Sequence, residues 1–184
     1  MRVIAGELKG RRLVSAKGRR VRPTSDRTKE AVFSILFGRI QGAMVLDLFS
    51  GTGALAIEAI SRGAAAAVLI DAHGESLAVI RQNLKICGVA ERTTTIKWKI
   101  EKDLVCIRDH EPPFDLVFMD PPYERGLISP TLENLAKSRC LAGGAWLVIE
   151  HAASDPLPEA ISPFFVEDQR RYGKTLVSFL SHML

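Results

Sequence analysis

Short apolar runs recur along the chain, and several are followed by stretches whose apolar residues fall three or four positions apart. A run bounded by turn residues reads as a buried strand, and the wider spacing reads as an amphipathic helix. Strands are therefore predicted over 44–49, 67–71, 93–98, 114–119 and 145–150, the last after Gly143-Gly144. After Pro23, Ser25 or Asp26 can cap a helix whose Ala31, Val32, Ile35 and Leu36 share one face. A second helix follows a Gly turn at 50–54 and ends near Arg62-Gly63, and a third ends near Cys87-Gly88. Each closing glycine stands where a helix hands over to a left-handed residue. The tail, 164–172, then Gly173, then 174–180, predicts a closing antiparallel hairpin. Strands alternating with helices call for a mainly parallel sheet covered on both faces. At the other end, β-compatible residues at 2–5 and 12–15 flank Gly6 and Gly10 and predict a short hairpin.

The candidate chemistry sits at the ends of these strands. Asp120-Pro121-Pro122-Tyr123 follows the apolar run at 114–119. A carboxylate, a rigid proline pair and an aromatic face at the carboxyl end of a parallel strand can hold a flat heterocycle by its amino group, and ligands collect at such ends. The plain alternative is an Asp-Pro turn that only punctuates a strand. Upstream, the strand containing Asp47 and Phe49 runs into Ser50-Gly51-Thr52-Gly53-Ala54 and a helix. Glycines there let a ligand approach the backbone, and the helix N-terminus offers unpaired N–H groups. The next strand ends in Asp71-Ala72, where an acid can accept both hydroxyls of a ribose.

Gly51-x-Gly53-x-x-Ala56 also satisfies the Gly/Ala form of the dinucleotide fingerprint, so a nicotinamide cofactor competes. Asp47 argues against it. An acid four residues before the first Gly opposes a pyrophosphate but suits the ammonium of a methionine moiety, so the spacing favours S-adenosylmethionine.

Length and composition agree with one catalytic domain and a small appendage. The chain has 184 residues, of which 47% are hydrophobic, which is ample for a core. No apolar stretch approaches the eighteen or so residues that would span a bilayer, and the basic start lacks the apolar region of a secretory signal. Cys87, Cys106 and Cys140 are odd in number and widely spaced, as expected of a reduced cytoplasmic protein. Neither they nor His73, His110, His151 and His182 show metal-ligand spacing, and no metal is expected.

The distribution of charge says more than its total of +4. Residues 1–29 hold ten Lys or Arg and two acids, 10 − 2 = +8, which leaves 4 − 8 = −4 for the remainder. Arg2, Lys9, Arg11, Arg12, Lys17, Arg19, Arg20 and Arg22 thus form a basic arm, 1–22, ahead of a mildly acidic body, 23–184. A solvated tail is the plain reading, and an ordered basic hairpin that contacts nucleic-acid phosphates is the one favoured here.

Several segments carry a family resemblance. The stretch from Asp47 through Ala64, the segment from Arg22 to Leu36, the opening Met1 to Leu13, and Asp120 to Tyr123, Ile149-Glu150-His151 and Arg171-Tyr172-Gly173 resemble the small-subunit rRNA guanine-N2 methyltransferases of the RsmD type. Nearly the whole chain is covered. The resemblance implies a Rossmann-like class I methyltransferase fold with a seven-stranded sheet, and methylation of the exocyclic amine of one guanine in bacterial 16S rRNA, with the small ribosomal subunit or an assembly intermediate as partner. The chain departs from the family pattern after the third strand, where Lys99 stands in the slot that usually holds an acid for the adenine amino group. Glu101 or Asp103 are the possible substitutes. Asp71 replaces the more usual Glu.

An aryl amine is a poor nucleophile because its lone pair is delocalised into the ring. Hydrogen-bond acceptors on its two N–H groups let the nitrogen pyramidalise, and the Asp120 carboxylate with the Pro121 carbonyl are the candidates, Pro122 holding the turn and Tyr123 stacking on the base. The base would leave its stack to reach them. A carbon-5 pyrimidine methyltransferase needs a nucleophilic Cys, commonly after Pro, and Ile86, Val105 and Arg139 precede the three here. A DNA adenine-N6 methyltransferase and a non-catalytic RNA-binding or ribosome-assembly module are the remaining alternatives.

Overall fold

The computed structural model describes residues 1–15, 26–123, 125–159 and 161–183. Helix α1 (Asp26–Ile35) precedes β1 (Met44–Leu48), α2 (Ala54–Ser61), β2 (Ala66–Asp71), α3 (Gly74–Cys87) and β3 (Thr93–Lys97). Then come β4 (Phe114–Met119), α4 (Ile128–Ser138), β5 (Leu141–Ala152), β6 (Phe164–Tyr172) and β7 (Thr175–His182). The seven strands form one sheet in the order β3-β2-β1-β4-β5-β7-β6. β1 to β5 run parallel, and β7 enters antiparallel between β5 and β6. The strand order reverses at β1, whose neighbours are β2 and β4, so the carboxyl ends of β1 and β4 open the crevice where parallel sheets bind ligands.

Two apolar layers flank the sheet. One gathers Val32, Phe33 and Leu36 beside Ala56, Ile57, Ile60, Ile80 and Leu84; the other gathers Ile100, Leu104, Ile107, Leu132 and Leu135. The central strands are buried on both sides, which is why they read as continuous apolar runs. Among the described residues no helix is long and apolar enough to cross a membrane.

Three details differ from the sequence expectations. Helix α4 lies where the apolar spacing predicts no element. Its Ile128, Thr131, Leu132 and Leu135 make a buried stripe, and Pro130 falls in the first turn, where a missing N–H costs nothing. Strand β5 starts at Leu141 and carries Gly143-Gly144 inside an irregularity of register against β4, so the glycines interrupt the strand rather than precede it. In α1 the buried face holds Thr28, Lys29, Val32 and Phe33, while Ala31 and Ile35 are only partly covered, because Lys29 turns inward.

Lys29 is 1% exposed and Glu58 of α2 is fully buried. Glu58 accepts from the amides of Ile4 and Ala5 at 2.8 and 3.0 Å and from Arg62 Nε at 2.8 Å, and Lys29 Nζ lies 3.2 Å away. Lys29 Nζ also donates to the Arg2 carbonyl at 2.6 Å. Removing one member of such a cluster leaves an uncompensated buried charge, a cost of about 3–5 kcal/mol. The cluster fastens the N-terminal segment to α1 and α2. Among the described residues the hairpin expected there is closed by one antiparallel bridge, Arg2 to Arg12, with Val3 and Leu13 in the same core layer as α2. Gly6 allows the approach: a Cβ at its φ of +83° would meet the Ser61 carbonyl oxygen at 1.8 Å.

Candidate active site

Asp47 lies one residue before the end of β1 and pairs in register with Phe118 of β4. Its carboxylate is 2% exposed, and Oδ2 accepts from the Ala56 amide in the first turn of α2 at 3.2 Å. Burial pushes its carboxyl up to about 7, the Ala56 amide pulls it down, and nearby Asp71 adds to the rise.

After β1 the chain turns sharply. Phe49 has a φ of +58°, Gly51 +55° and Gly53 +74°. The turn is held from beneath by Ser50, whose hydroxyl donates to the carbonyls of Asp47 and Ile70 at 2.5 and 3.1 Å. A side chain at Gly53 would be strained by the φ of +74°, and its Cβ would stand 3.0 Å from the Leu69 side chain. Asp71, at the end of β2, accepts from the Gly51 amide at 3.0 Å through one oxygen and from the His73 amide at 2.8 Å through the other. The acid thus ties the Gly turn to the β2–α3 loop, and each oxygen retains a lone pair for a further donor. Ala72 is partly exposed beside it.

Across the crevice, Asp120 directly follows β4. Among the described residues nothing donates a hydrogen bond to its carboxylate. Burial raises its carboxyl well above the usual range, with Glu150 and then Asp47 adding to the rise. Pro121 is buried while Pro122 and Tyr123 are exposed, Tyr123 by 39%. The Tyr123 hydroxyl donates to Glu150 Oε1 at 3.0 Å and lies 3.4 Å from Thr175 Oγ1. The structure therefore brings Asp47, Asp71, Asp120 and Glu150 to the carboxyl ends of β1, β2, β4 and β5. Among the described residues no group of His, Cys, Asp or Glu could hold a metal ion. A cleft of acids without a metal geometry suits an organic cation and opposes a pyrophosphate.

The three cysteines are free, and burial raises the thiol of each, Cys106 to about 11, so none is an activated nucleophile.

Residues 1–181 match the family described as Conserved hypothetical protein 95, the RsmD family. The chain belongs to this family. Ribosomal RNA small subunit methyltransferase D of Escherichia coli is 34% identical over 158 residues, which cover 86% of this chain and 78% of the relative. YlbH of Bacillus subtilis is 32% identical over 178 residues, 97% of each chain. Among solved structures, yhhF from Escherichia coli superposes with a TM-score of 0.87 at 30% identity, covering 100% of this chain and 98% of the other.

Within the RsmD family frame, Lys99 is exposed, and Glu101 is exposed beside it. Asp103 is engaged, since its Oδ1 accepts from Trp98 Nε1 at 3.1 Å and from the Val105 amide at 3.1 Å. Arg2, Lys9, Arg11 and Arg12 all present exposed side chains, Arg2 paired with Asp26 at 3.2 Å, whereas Arg19, Arg20 and Arg22 lie outside the described residues. Sequence reading missed Glu150 as a partner of Tyr123. Its signal was an acid closing the strand run at 145–150, read only as part of the family resemblance.

Proposed function

We propose that this chain transfers a methyl group from S-adenosylmethionine to the exocyclic N2 amine of a guanine in 16S rRNA, in the cytoplasm, with the small ribosomal subunit or its precursor as substrate. The observation that carries this reading is the pair of acids that face one crevice, Asp47 and Asp120, both raised by burial and the second raised further by the first. A ligand bearing ammonium and sulfonium charges supplies what these acids lack. The relative named for ribosomal RNA of the small subunit supports the choice of RNA.

When bound, S-adenosylmethionine supplies an electrophilic methyl on sulfur. Asp47 is the residue suited to its ammonium, Asp71 to the ribose hydroxyls, and Phe49, Gly51, Thr52, Gly53 and Ala72 to its flanks. Asp120 and the Pro121 carbonyl accept from the two N–H groups of the target amine and draw the lone pair out of the ring. Tyr123 offers its ring for stacking, and its hydroxyl bond to Glu150 fixes the ring's position. Once the amine has gained the methyl it must shed a proton, and the Asp120 carboxylate that accepts its N–H is in place to take it. Arg2, Lys9, Arg11, Arg12, Arg19, Arg20 and Arg22 provide the phosphate contacts.

Calorimetry should detect S-adenosylmethionine and its demethylated product and not NAD. Labelled methyl should pass to unmodified small subunits or 16S rRNA and not to DNA. Binding of NAD alone, or label in DNA alone, would overturn the proposal.

A further inference from the structure

Asn83 of α3 is fully buried, yet it belongs to neither the donor pocket nor the acceptor turn. Among the described residues its amide bonds main chain from two other segments. Oδ1 accepts from the Val14 amide at 2.8 Å, and Nδ2 donates to the Val14 carbonyl at 3.0 Å and to the Thr52 carbonyl at 2.9 Å. Thr52 sits between Gly51, whose amide goes to Asp71, and Gly53, the residue that caps α2. Val14 stands just ahead of the densest positive charge in the chain, Lys17, Arg19, Arg20 and Arg22. The opening of the chain reaches the same loop residue a second time, for Thr52 Oγ1 lies 3.9 Å from Met1 Sδ and the Leu13 amide donates to the Met1 carbonyl at 3.0 Å. One buried amide thus spans the base of the basic arm and the tip of the donor loop.

The bonds of Asn83 reach main chain 69 and 31 residues away in sequence. They join two segments that the proposed function assigns to different ligands. We infer that Asn83 is a positioning residue that couples the arm to the donor loop, so that RNA on the arm and S-adenosylmethionine in the loop strengthen each other's binding. Holding the arm on RNA fixes Val14, which fixes the Asn83 amide and with it the Thr52 carbonyl. By linkage, whatever factor RNA exerts on donor affinity must act in the other direction as well. The inference rests on the proposed function for the identity of the two ligands.

The test measures affinity for S-adenosylhomocysteine, which avoids turnover, with and without saturating unmodified 16S rRNA. For the natural protein the affinity should rise at least about fivefold with RNA, and RNA affinity should rise by the same factor with the nucleoside. Asn83→Leu and Asn83→Asp should bring that ratio close to one. A structural role would lower stability or both affinities and leave the ratio intact. Where a variant does not fold, hydrogen exchange on the natural protein serves instead: RNA alone should slow exchange of the amides of Thr52 and Gly53. A ratio of one in the natural protein, an unchanged ratio in the variants, or unchanged exchange at these amides overturns the coupling. Failure of the natural protein to bind either ligand would instead overturn the proposed function.

Discussion

The Tyr123 hydroxyl donates to Glu150 Oε1 at 3.0 Å and so ties the loop after β4 to the end of β5. Burial first, and then the Glu150 and Asp120 charges, hold the phenol up at about 12 against the opposing bond from Thr175, so it remains a donor at any pH the protein meets. Tyr123→Phe keeps the ring and loses the tether, and should cost about 1 kcal/mol in kcat/KM, since the bond is partly solvated. Tyr123→Ala also loses stacking and should cost a further 1–3 kcal/mol or so, spread over RNA affinity and rate. Equal losses for the two variants in steady-state kinetics would remove the stacking role.

Asp120→Ala should abolish most of the methyl transfer while cofactor affinity stays within a few fold. By analogy with removal of one preorganised polar partner of a transition state, the chemical step should slow by roughly 2.7–4 kcal/mol. Single-turnover rates are the proper readout. An unchanged rate would make Asp120-Pro121-Pro122-Tyr123 a structural turn.

Asp47 gives the donor pocket a pH dependence. Its carboxyl is raised from 3.8 to about 7, so between those values the folded protein holds a proton that the unfolded chain releases. The Asp47 contribution therefore lowers stability as pH rises from about 4 to about 7 and is level above, a total on the order of 4 kcal/mol. An ammonium beside the carboxylate favours the ionised form, so S-adenosylmethionine should bind more tightly at pH 8 than at pH 6 and release a proton on binding at pH 6. Asp47→Asn should flatten both dependences and weaken the donor. Calorimetry in buffers of different ionisation enthalpy reads the proton directly, and pH-independent binding by the natural protein would contradict this role.

The basic arm should recruit RNA without touching the donor. Replacing Arg11, Arg12, Arg19 and Arg20 with Ala should weaken rRNA binding and lower the slope of log K against log salt by roughly 0.7–0.9 for each phosphate that the arm no longer neutralises. Affinity for S-adenosylmethionine in the absence of RNA should be unchanged, because the link described between arm and donor loop runs through the Val14 main chain. Filter binding at several salt concentrations decides it. Equal affinity and slope for both proteins would return the arm to a solvated tail.

Much of this architecture was legible because burial on both faces of a parallel sheet leaves unbroken apolar runs such as 44–49 and 114–119. The Gly turn and the strand-end acids were legible for a related reason, since loops at those ends carry the chemistry. Charged residues in buried positions were not. Lys29 and Glu58 follow a helical pattern that normally points charges outward, and only the folded structure brings the Ile4 and Ala5 amides to Glu58. Asn83 gave no signal either, because its partners lie 69 and 31 residues away and are main-chain groups without sequence identity. Gly143-Gly144 misled for a physical reason: glycine ends strands and also tolerates a break within one.

The central claim is that Asp120 and its turn present a guanine amine to the donor. The most direct measurement digests 16S rRNA methylated by the purified protein to nucleosides and identifies the labelled product. N2-methylguanosine is expected as the labelled nucleoside, from one position, formed by the natural protein and lost with Asp120→Ala. Label on a carbon, on a ribose oxygen or on adenine N6 would contradict it.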